Sequence, residues 1–269
     1  MKKKKKHFIA FFIILIISIC GILRSIKNII KWSNDNIKTS NEINNLNTII
    51  KENESNNNYE IINPKEENKN NPYWYYITQN MINVDLKELK KINNDTKGWI
   101  QVKGTNVNYP FVQYKDNEYY LNKSFNKKDT DAGWIFLDYR NDINNLSKNN
   151  IIYGHARLDK SMFGTLKNTL TKDWYNNIDN HIIKLSTEKE NTLWQIFSIY
   201  HQRTENYYIT TYFKNDNEFQ KYINTSLEKS IYKFNTIVTT NDTLLTLSTC
   251  YKSNQKLIIQ AKLIKRETR

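Results

Sequence analysis

Two side chains of this sequence could together perform nucleophilic catalysis. Cys250 ends the apolar run TLLTLSTC, and His155 follows the run NNIIYG about a hundred residues earlier. A thiolate is a strong nucleophile, and an imidazole can take up its proton and later return it, so the pair suggests covalent acyl transfer. Both residues also have an ordinary interpretation, because an unpaired cysteine on an apolar strand is often a small core residue and a single histidine is often structural.

The other cysteine, Cys20, lies in an apolar segment near the N-terminus and is poorly placed to pair with Cys250. Neither a CxxC nor an HExxH spacing occurs in the sequence. Zinc sites are usually recognised by such spacings. We therefore predict that Cys250 is a free thiol and that the protein uses no metal or other cofactor.

The N-terminal segment predicts a membrane anchor. Five lysines, from Lys2 to Lys6, precede an uncharged stretch from Phe8 to Leu23, which Arg24 ends. Its length lies between a short membrane span and a long signal-peptide core, but no A-x-A-like cleavage site follows it. The positive-inside rule then predicts a cytoplasmic basic tail and a single-pass signal anchor over residues 1–24, with the remainder outside the cell membrane.

Composition divides the remainder into two parts. Residues 25–72 are predicted to form an extracytoplasmic helical stalk followed by an Asn-rich spacer, because isoleucines at loosely helical spacing give way to a polar stretch. Residues 73–269, where the aromatic residues begin, are predicted to be the catalytic domain. The formal net charge is +13, and the five N-terminal lysines are better explained by the membrane than by nucleic acid, so no nucleic-acid partner is predicted.

Short strand signals dominate the domain. Eight runs are rich in Val, Ile, Thr and aromatic residues and are separated by polar clusters: WIQV, NVNYPFVQ, GWIFLD, NNIIYG, HIIKLS, LWQIFSIY, TLLTLSTC and KLIIQAKLI. Eight such strands predict a mainly β protein with a closed or nearly closed barrel. A helix predicted between the sixth and seventh strands, from Asn217 to Tyr232, is long enough to form one wall of a cleft.

Four segments carry a resemblance to a known family: GWIQVKGTNVNYPFVQYKDNEYYL, GWIFLDYRND, NNIIYGHARLDKSMFGTL and TLLTLSTC. In this order and spacing, the chain resembles the class B sortases, which are cysteine transpeptidases of Gram-positive surfaces, over roughly residues 73–269. The resemblance implies an eight-stranded sortase-type β-barrel. It also implies an N-terminal helical extension and a helix inserted between strands six and seven.

The resemblance further implies the chemistry. Cys250 would be the nucleophile that attacks a Thr carbonyl in the C-terminal sorting signal of a secreted protein, often Asn-Pro-x-Thr in this class, to form a thioacyl-enzyme. His155 would be the general acid and base. An amine of the peptidoglycan cross-bridge, or of its lipid-linked precursor, would then accept the protein.

The family's third catalytic group is an arginine on the last strand, where this sequence has Lys256. Lysine brings a point charge without the planar fork of arginine, so Arg203 or Arg157 could instead reach the site. Positions that match the substrate cleft of the class are Asn117, Leu121, Tyr153, Thr204, Tyr208, Ile209, Ser248 and Thr249. The apolar members of this set could equally be core residues.

Two other functions fit parts of the sequence. A cell-wall cysteine hydrolase would cleave peptides without transferring them, although papain-like and related hydrolases usually place the cysteine before the histidine in the chain. A non-enzymatic basic module could bind anionic wall polymer or lipid through its positive charge. The second alternative predicts that Cys250 is dispensable.

Overall fold

A closed barrel of eight strands forms the body of the protein. The computed structural model describes residues 2–49, 59–62, 72–203, 207–250 and 254–269. The strands are β1 (Thr96–Val102), β2 (Asn108–Val112), β3 (Phe136–Leu137), β4 (Asn149–Tyr153), β5 (Ile182–Thr187), β6 (Glu190–Arg203), β7 (Leu244–Cys250) and β8 (Gln255–Thr268). Their order around the barrel is β8-β6-β5-β1-β2-β3-β4-β7, and β7 pairs with β8 to close it. Each strand overlaps one of the eight predicted runs, so the predicted fold class is confirmed.

The interior of the barrel is apolar and aromatic. Trp99, Trp134 and Trp194 are almost fully buried in one continuous cluster, together with the apolar side chains of the strands. Burying such large side chains supplies most of the favourable free energy of folding. The barrel is therefore a rigid frame for whatever side chains project from its ends.

Five α-helices accompany the barrel in the described residues: α1 (Lys2–Ile49), α2 (Tyr73–Ile77), α3 (Lys87–Ile92), α4 (Lys172–Asn176) and α5 (Asp216–Lys229). Helix α5 lies between the sixth and seventh strands, as predicted. The Asn215 side chain caps its start by accepting a hydrogen bond from the Glu218 amide. Short 3₁₀ turns occur at Tyr119–Leu121, Leu166–Leu170, Ile178–Asn180 and Tyr207–Ile209.

Helix α1 is one continuous element of 48 residues, about 72 Å long at 1.5 Å per residue. Its first half exposes its apolar side chains, whereas Thr39 and Leu46 in its second half are buried against the rest of the protein. Within it, residues His7–Ile49 form a helix long and apolar enough to cross a membrane. The first half of α1 is therefore an exposed apolar helix, and its second half packs against the folded body.

Part of the predicted spacer takes part in the fold. Glu60–Ile61 forms a two-residue strand that pairs antiparallel with Arg266 and Lys265 of β8. The Tyr73 hydroxyl also donates a hydrogen bond to the Ile62 carbonyl oxygen. The sequence gives no indication of this strand, because its two residues lie within a long polar stretch.

Candidate active site

The register of two parallel strands brings His155 and Cys250 to the same end of the barrel. Strands β4 and β7 pair in parallel with Tyr153 opposite Ser248. His155 and Cys250 each lie two residues beyond these partners, so the two chains carry them to matching positions. Parallel pairing therefore explains how residues almost a hundred positions apart reach one site.

Lys256 reaches the site from the opposite neighbour of β7. Strand β8 runs antiparallel to β7 and places Lys256 directly across from Cys250. The Lys256 Nζ atom lies 3.2 Å from the Cys250 Sγ atom, within hydrogen-bond distance for sulfur. An ammonium at this distance can stabilise negative charge that develops on an oxygen bound next to the sulfur.

The two alternative cations are placed elsewhere. Arg157 turns towards α1, where it forms an ion pair of 3.4 Å with Asp35 and a hydrogen bond with Asn36. Arg203 lies on β6 opposite Gln255 and is not among the described residues that line the cavity around Cys250. Of the three candidate cations, the structure brings Lys256 to the thiol.

His155 is held by a backbone carbonyl. Its Nε2 atom lies 2.8 Å from the Leu121 carbonyl oxygen. A carbonyl can only accept, so Nε2 carries the hydrogen and Nδ1 is the nitrogen that can exchange a proton with a substrate. Gly133 makes room for this contact, because at φ +59° a Cβ atom there would lie 2.7 Å from the Leu121 oxygen and 2.8 Å from the His155 ring.

A cavity of about 270 Å³ connects these groups. Ten of the eleven predicted site residues line it: Asn117, Leu121, Tyr153, His155, Tyr208, Ile209, Ser248, Thr249, Cys250 and Lys256. The remaining one, Thr204, lies outside the described residues. Phe136 and Gly154 also line the cavity and were not predicted, since an aromatic strand residue and a glycine carry no chemical signal of their own. A larger cavity, of about 430 Å³, lies between α1 and the barrel and contains none of the predicted site residues.

The two hydroxyl residues before Cys250 are buried and already hydrogen-bonded. Thr249 donates to the Gly154 carbonyl at 2.7 Å, which ties β7 to the segment that carries His155. The Ser248 hydroxyl lies 3.5 Å from the Tyr208 hydroxyl on the facing wall. Both side chains therefore hold the cavity's walls together as well as lining it.

Two residues behind the cavity were missed by the sequence analysis. Asp138 and Arg140 follow β3 and form an ion pair of 2.7 Å, with the Asp138 side chain fully buried. The only signal in the sequence is their presence in the segment GWIFLDYRND, where they read as ordinary turn residues. They contact residues that line the cavity without lining it themselves.

Comparison with known proteins shows the family of the chain. Residues 100–264 match the model of the Sortase domain family. The chain belongs to the sortase family. This sortase is 36% identical over 191 residues to sortase B of Staphylococcus aureus (strain NCTC 8325 / PS 47), a match that covers 70% of this chain and 78% of that protein.

Solved structures of sortase B share the fold. The Staphylococcus aureus sortase B-substrate complex superposes with a TM-score of 0.62 at 37% identity, covering 67% of this sortase and 84% of that chain. Sortase B complexed with triglycine gives a TM-score of 0.63 at 36% identity, covering 67% and 85% of the two chains. These relationships establish a cysteine transpeptidase of the sortase B type, as the sequence predicted.

Proposed function

We propose that this sortase is a membrane-anchored transpeptidase that cleaves a C-terminal sorting signal after Thr and joins the protein to a peptidoglycan amine. The observation that carries the proposal is the convergence of Cys250, His155 and Lys256 on one cavity. Its other walls are formed by the residues predicted to bind the sorting signal.

In the first step the proton of the Cys250 thiol resides on His155, the resulting thiolate attacks the Thr carbonyl carbon, and the negative charge moves onto the carbonyl oxygen. Lys256, beside the sulfur, stabilises that oxyanion. The peptide C–N bond then breaks, and the leaving amine takes a proton from His155. A thioester on Cys250 and a released C-terminal fragment result.

In the second step an amine attacks the thioester carbonyl and gives its proton to His155. The C–S bond breaks, the sulfur leaves as the thiolate with His155 protonated again, and a new amide bond joins the protein to the acceptor. The relatives were solved with a substrate and with triglycine. We therefore infer that the acceptor of this sortase is a primary amine of the wall cross-bridge or of its lipid-linked precursor.

The apolar part of α1 supports the membrane location. It is helical, its side chains are exposed, and it follows a run of lysines. With the lysines on the cytoplasmic side, the barrel would face the outside, where secreted substrates and wall precursors emerge. Protease added to intact protoplasts should then remove the barrel and leave the lysine-rich end protected.

Transfer, hydrolysis and simple binding are separated by one assay. The full chain in detergent micelles is incubated with a peptide containing Asn-Pro-x-Thr, with and without triglycine, and the products are measured by mass spectrometry. Formation of a Thr–triglycine amide, abolished in Cys250→Ala and His155→Gln variants, supports the proposal. Hydrolysis alone would indicate the cysteine hydrolase, and the absence of any cleavage would leave the non-enzymatic module.

A further inference from the structure

Asp138 is a fully buried carboxylate behind the candidate active site. Its Oδ2 atom accepts hydrogen bonds from the Tyr153 hydroxyl at 2.9 Å and the Asn117 amide at 3.0 Å. Arg140 donates to both carboxylate oxygens, from Nε at 2.8 Å and from a terminal nitrogen at 2.7 Å. A single carboxylate thus joins two residues that line the cavity to one guanidinium.

Arg140 extends this network to a third part of the cavity wall. The same terminal nitrogen that binds Asp138 also donates to the Ile209 carbonyl oxygen at 2.9 Å. Ile209 ends the short 3₁₀ turn that begins at Tyr207. The guanidinium therefore links a segment that lacks strand pairing to the rigid barrel, through a planar fork that lysine could not reproduce.

The charge state of the pair is well defined. Burial by itself would raise the pKa of Asp138, but hydrogen bonds from Arg140 and Tyr153 outweigh it, so the pKa lies below its usual range. Burial, followed by the neighbouring carboxylate, raises the pKa of Tyr153, which stays a neutral donor. Replacing Arg140 would leave the Asp138 carboxylate buried and uncompensated, whereas Arg140 is exposed and keeps contact with solvent when Asp138 is replaced.

We propose that Asp138 and Arg140 are the positioning residues of the sorting-signal cleft. They hold Asn117, Tyr153 and Ile209 at fixed separation and act on substrate through these three. Neither residue lines the cavity, and neither contacts Cys250, His155 or Lys256 through the hydrogen bonds and ion pairs described for them. The pair therefore affects binding of the sorting signal rather than the reactivity of the thiol, an inference that rests on the proposed function.

Asp138→Asn and Arg140→Gln test the proposal in the full chain. Each should raise KM for the Asn-Pro-x-Thr peptide roughly tenfold or more, because small displacements of positioning groups are costly. The rate at which iodoacetamide alkylates Cys250 should stay within about twofold of wild type. Glu267→Gln is the matched control, since Glu267 is an equally buried carboxylate that accepts from Asn191 at 2.9 Å near the other end of β8.

The double variant separates positioning from stability. Arg140→Gln alone leaves the Asp138 carboxylate buried without its partner, and adding Asp138→Asn removes that charge, so the double variant should melt at a higher temperature than Arg140→Gln. Its KM should remain raised, because the hydrogen bond from the guanidinium to the Ile209 carbonyl oxygen is still missing. The proposal would be overturned by a wild-type KM in the double variant, by an equal rise in KM for Glu267→Gln, or by an alkylation rate that falls as KM rises.

Peptide binding without turnover distinguishes this inference from the proposed function. In a Cys250→Ala background, binding of the same peptide is measured by fluorescence polarisation, with and without Asp138→Asn. If the wild type transfers the peptide and Asp138→Asn does not weaken binding, the positioning role is refuted and the proposed function stands. If Asp138→Asn weakens binding but the wild type transfers nothing, the proposed function is refuted and the positioning role stands.

Discussion

Replacing Lys256 by methionine removes the positive charge beside Cys250 and keeps a side chain of similar length. The two residues are direct partners across β7 and β8, and the Nζ and Sγ atoms are 3.2 Å apart. The backbone register does not depend on the lysine side chain, so the strands should pair unchanged. The substitution therefore tests the charge and little else.

The size of the effect follows from the distance. Two unit charges 3.2 Å apart attract by about 1 kcal/mol in bulk water and by about 5 kcal/mol at an effective dielectric constant of 20. Cys250 is exposed and Lys256 is half-buried, so the lower part of this range applies. A loss of about 1–3 kcal/mol in stabilisation of the transition state corresponds to a roughly 5- to 150-fold lower kcat/KM.

The assay is peptide cleavage by the full chain in detergent, followed under conditions where the rate is proportional to kcat/KM. Lys256→Arg should retain activity within about tenfold, because it keeps the charge. Arg203→Gln is the control, since it removes a cation from the adjacent strand outside the cavity and should leave the rate unchanged. An unaltered rate for Lys256→Met, or a loss of activity confined to Arg203→Gln, would show that Lys256 does not serve the cationic role.

Three further predictions follow from single contacts. Gly133→Ala and Gly104→Ala both introduce a side chain at positive φ and should each lower the free energy of unfolding by roughly 1–3 kcal/mol. Only Gly133→Ala should lower kcat, because its Cβ would meet the His155 ring. Equal kcat values for the two variants, measured where both are folded, would contradict this. Asp35→Ala should lower the melting temperature, because the mostly buried Arg157 keeps only Asp159 as an ion-pair partner among the described residues and the Thr130 hydroxyl loses its acceptor on α1. An unchanged value would show that these contacts of Asp35 do not stabilise the packing of α1. Burial lowers the pKa of His181, so the unfolded chain binds the proton more readily than the folded one. The contribution of His181 to stability should therefore be complete above about pH 6.5 and decrease below it. Urea unfolding of wild type and His181→Gln between pH 5 and 8 tests this, because the fall in unfolding free energy at low pH should be smaller in the variant.

The strands could be predicted from the sequence because their signal is local. Runs such as TLLTLSTC and NNIIYG are rich in β-branched residues and are bounded by polar turn formers, and each became a barrel strand. The candidate site residues at the ends of these runs were predicted from the family's motifs. Spacing alone could not have joined them, since nothing local specifies that β4 and β7 pair in parallel.

Polar contacts between distant elements could not be predicted. Glu42 on α1 accepts hydrogen bonds from the Asn126 amide and the Ser124 hydroxyl, yet in the sequence it reads as a solvent-facing helix residue. Asp138 likewise resembles a turn carboxylate, and only the fold shows that it is buried beneath the cavity. A side chain that is polar because it bonds a distant partner has the same local signature as one that is polar because it faces water.

The substitution of lysine for arginine is compatible with the geometry around it. Lys256 does not have to reach across a long loop, because β8 begins at Gln255 and the antiparallel register sets its Cα directly opposite that of Cys250. One ammonium at 3.2 Å from the sulfur would supply the charge that an oxyanion needs, while a guanidinium would add a second, oriented donor. The planar fork is instead found in Arg140, which links Asp138 to the Ile209 carbonyl. If charge stabilisation and wall positioning belong to different cations, the two sets of variants should separate them as an effect on kcat for Lys256 and on KM for Arg140.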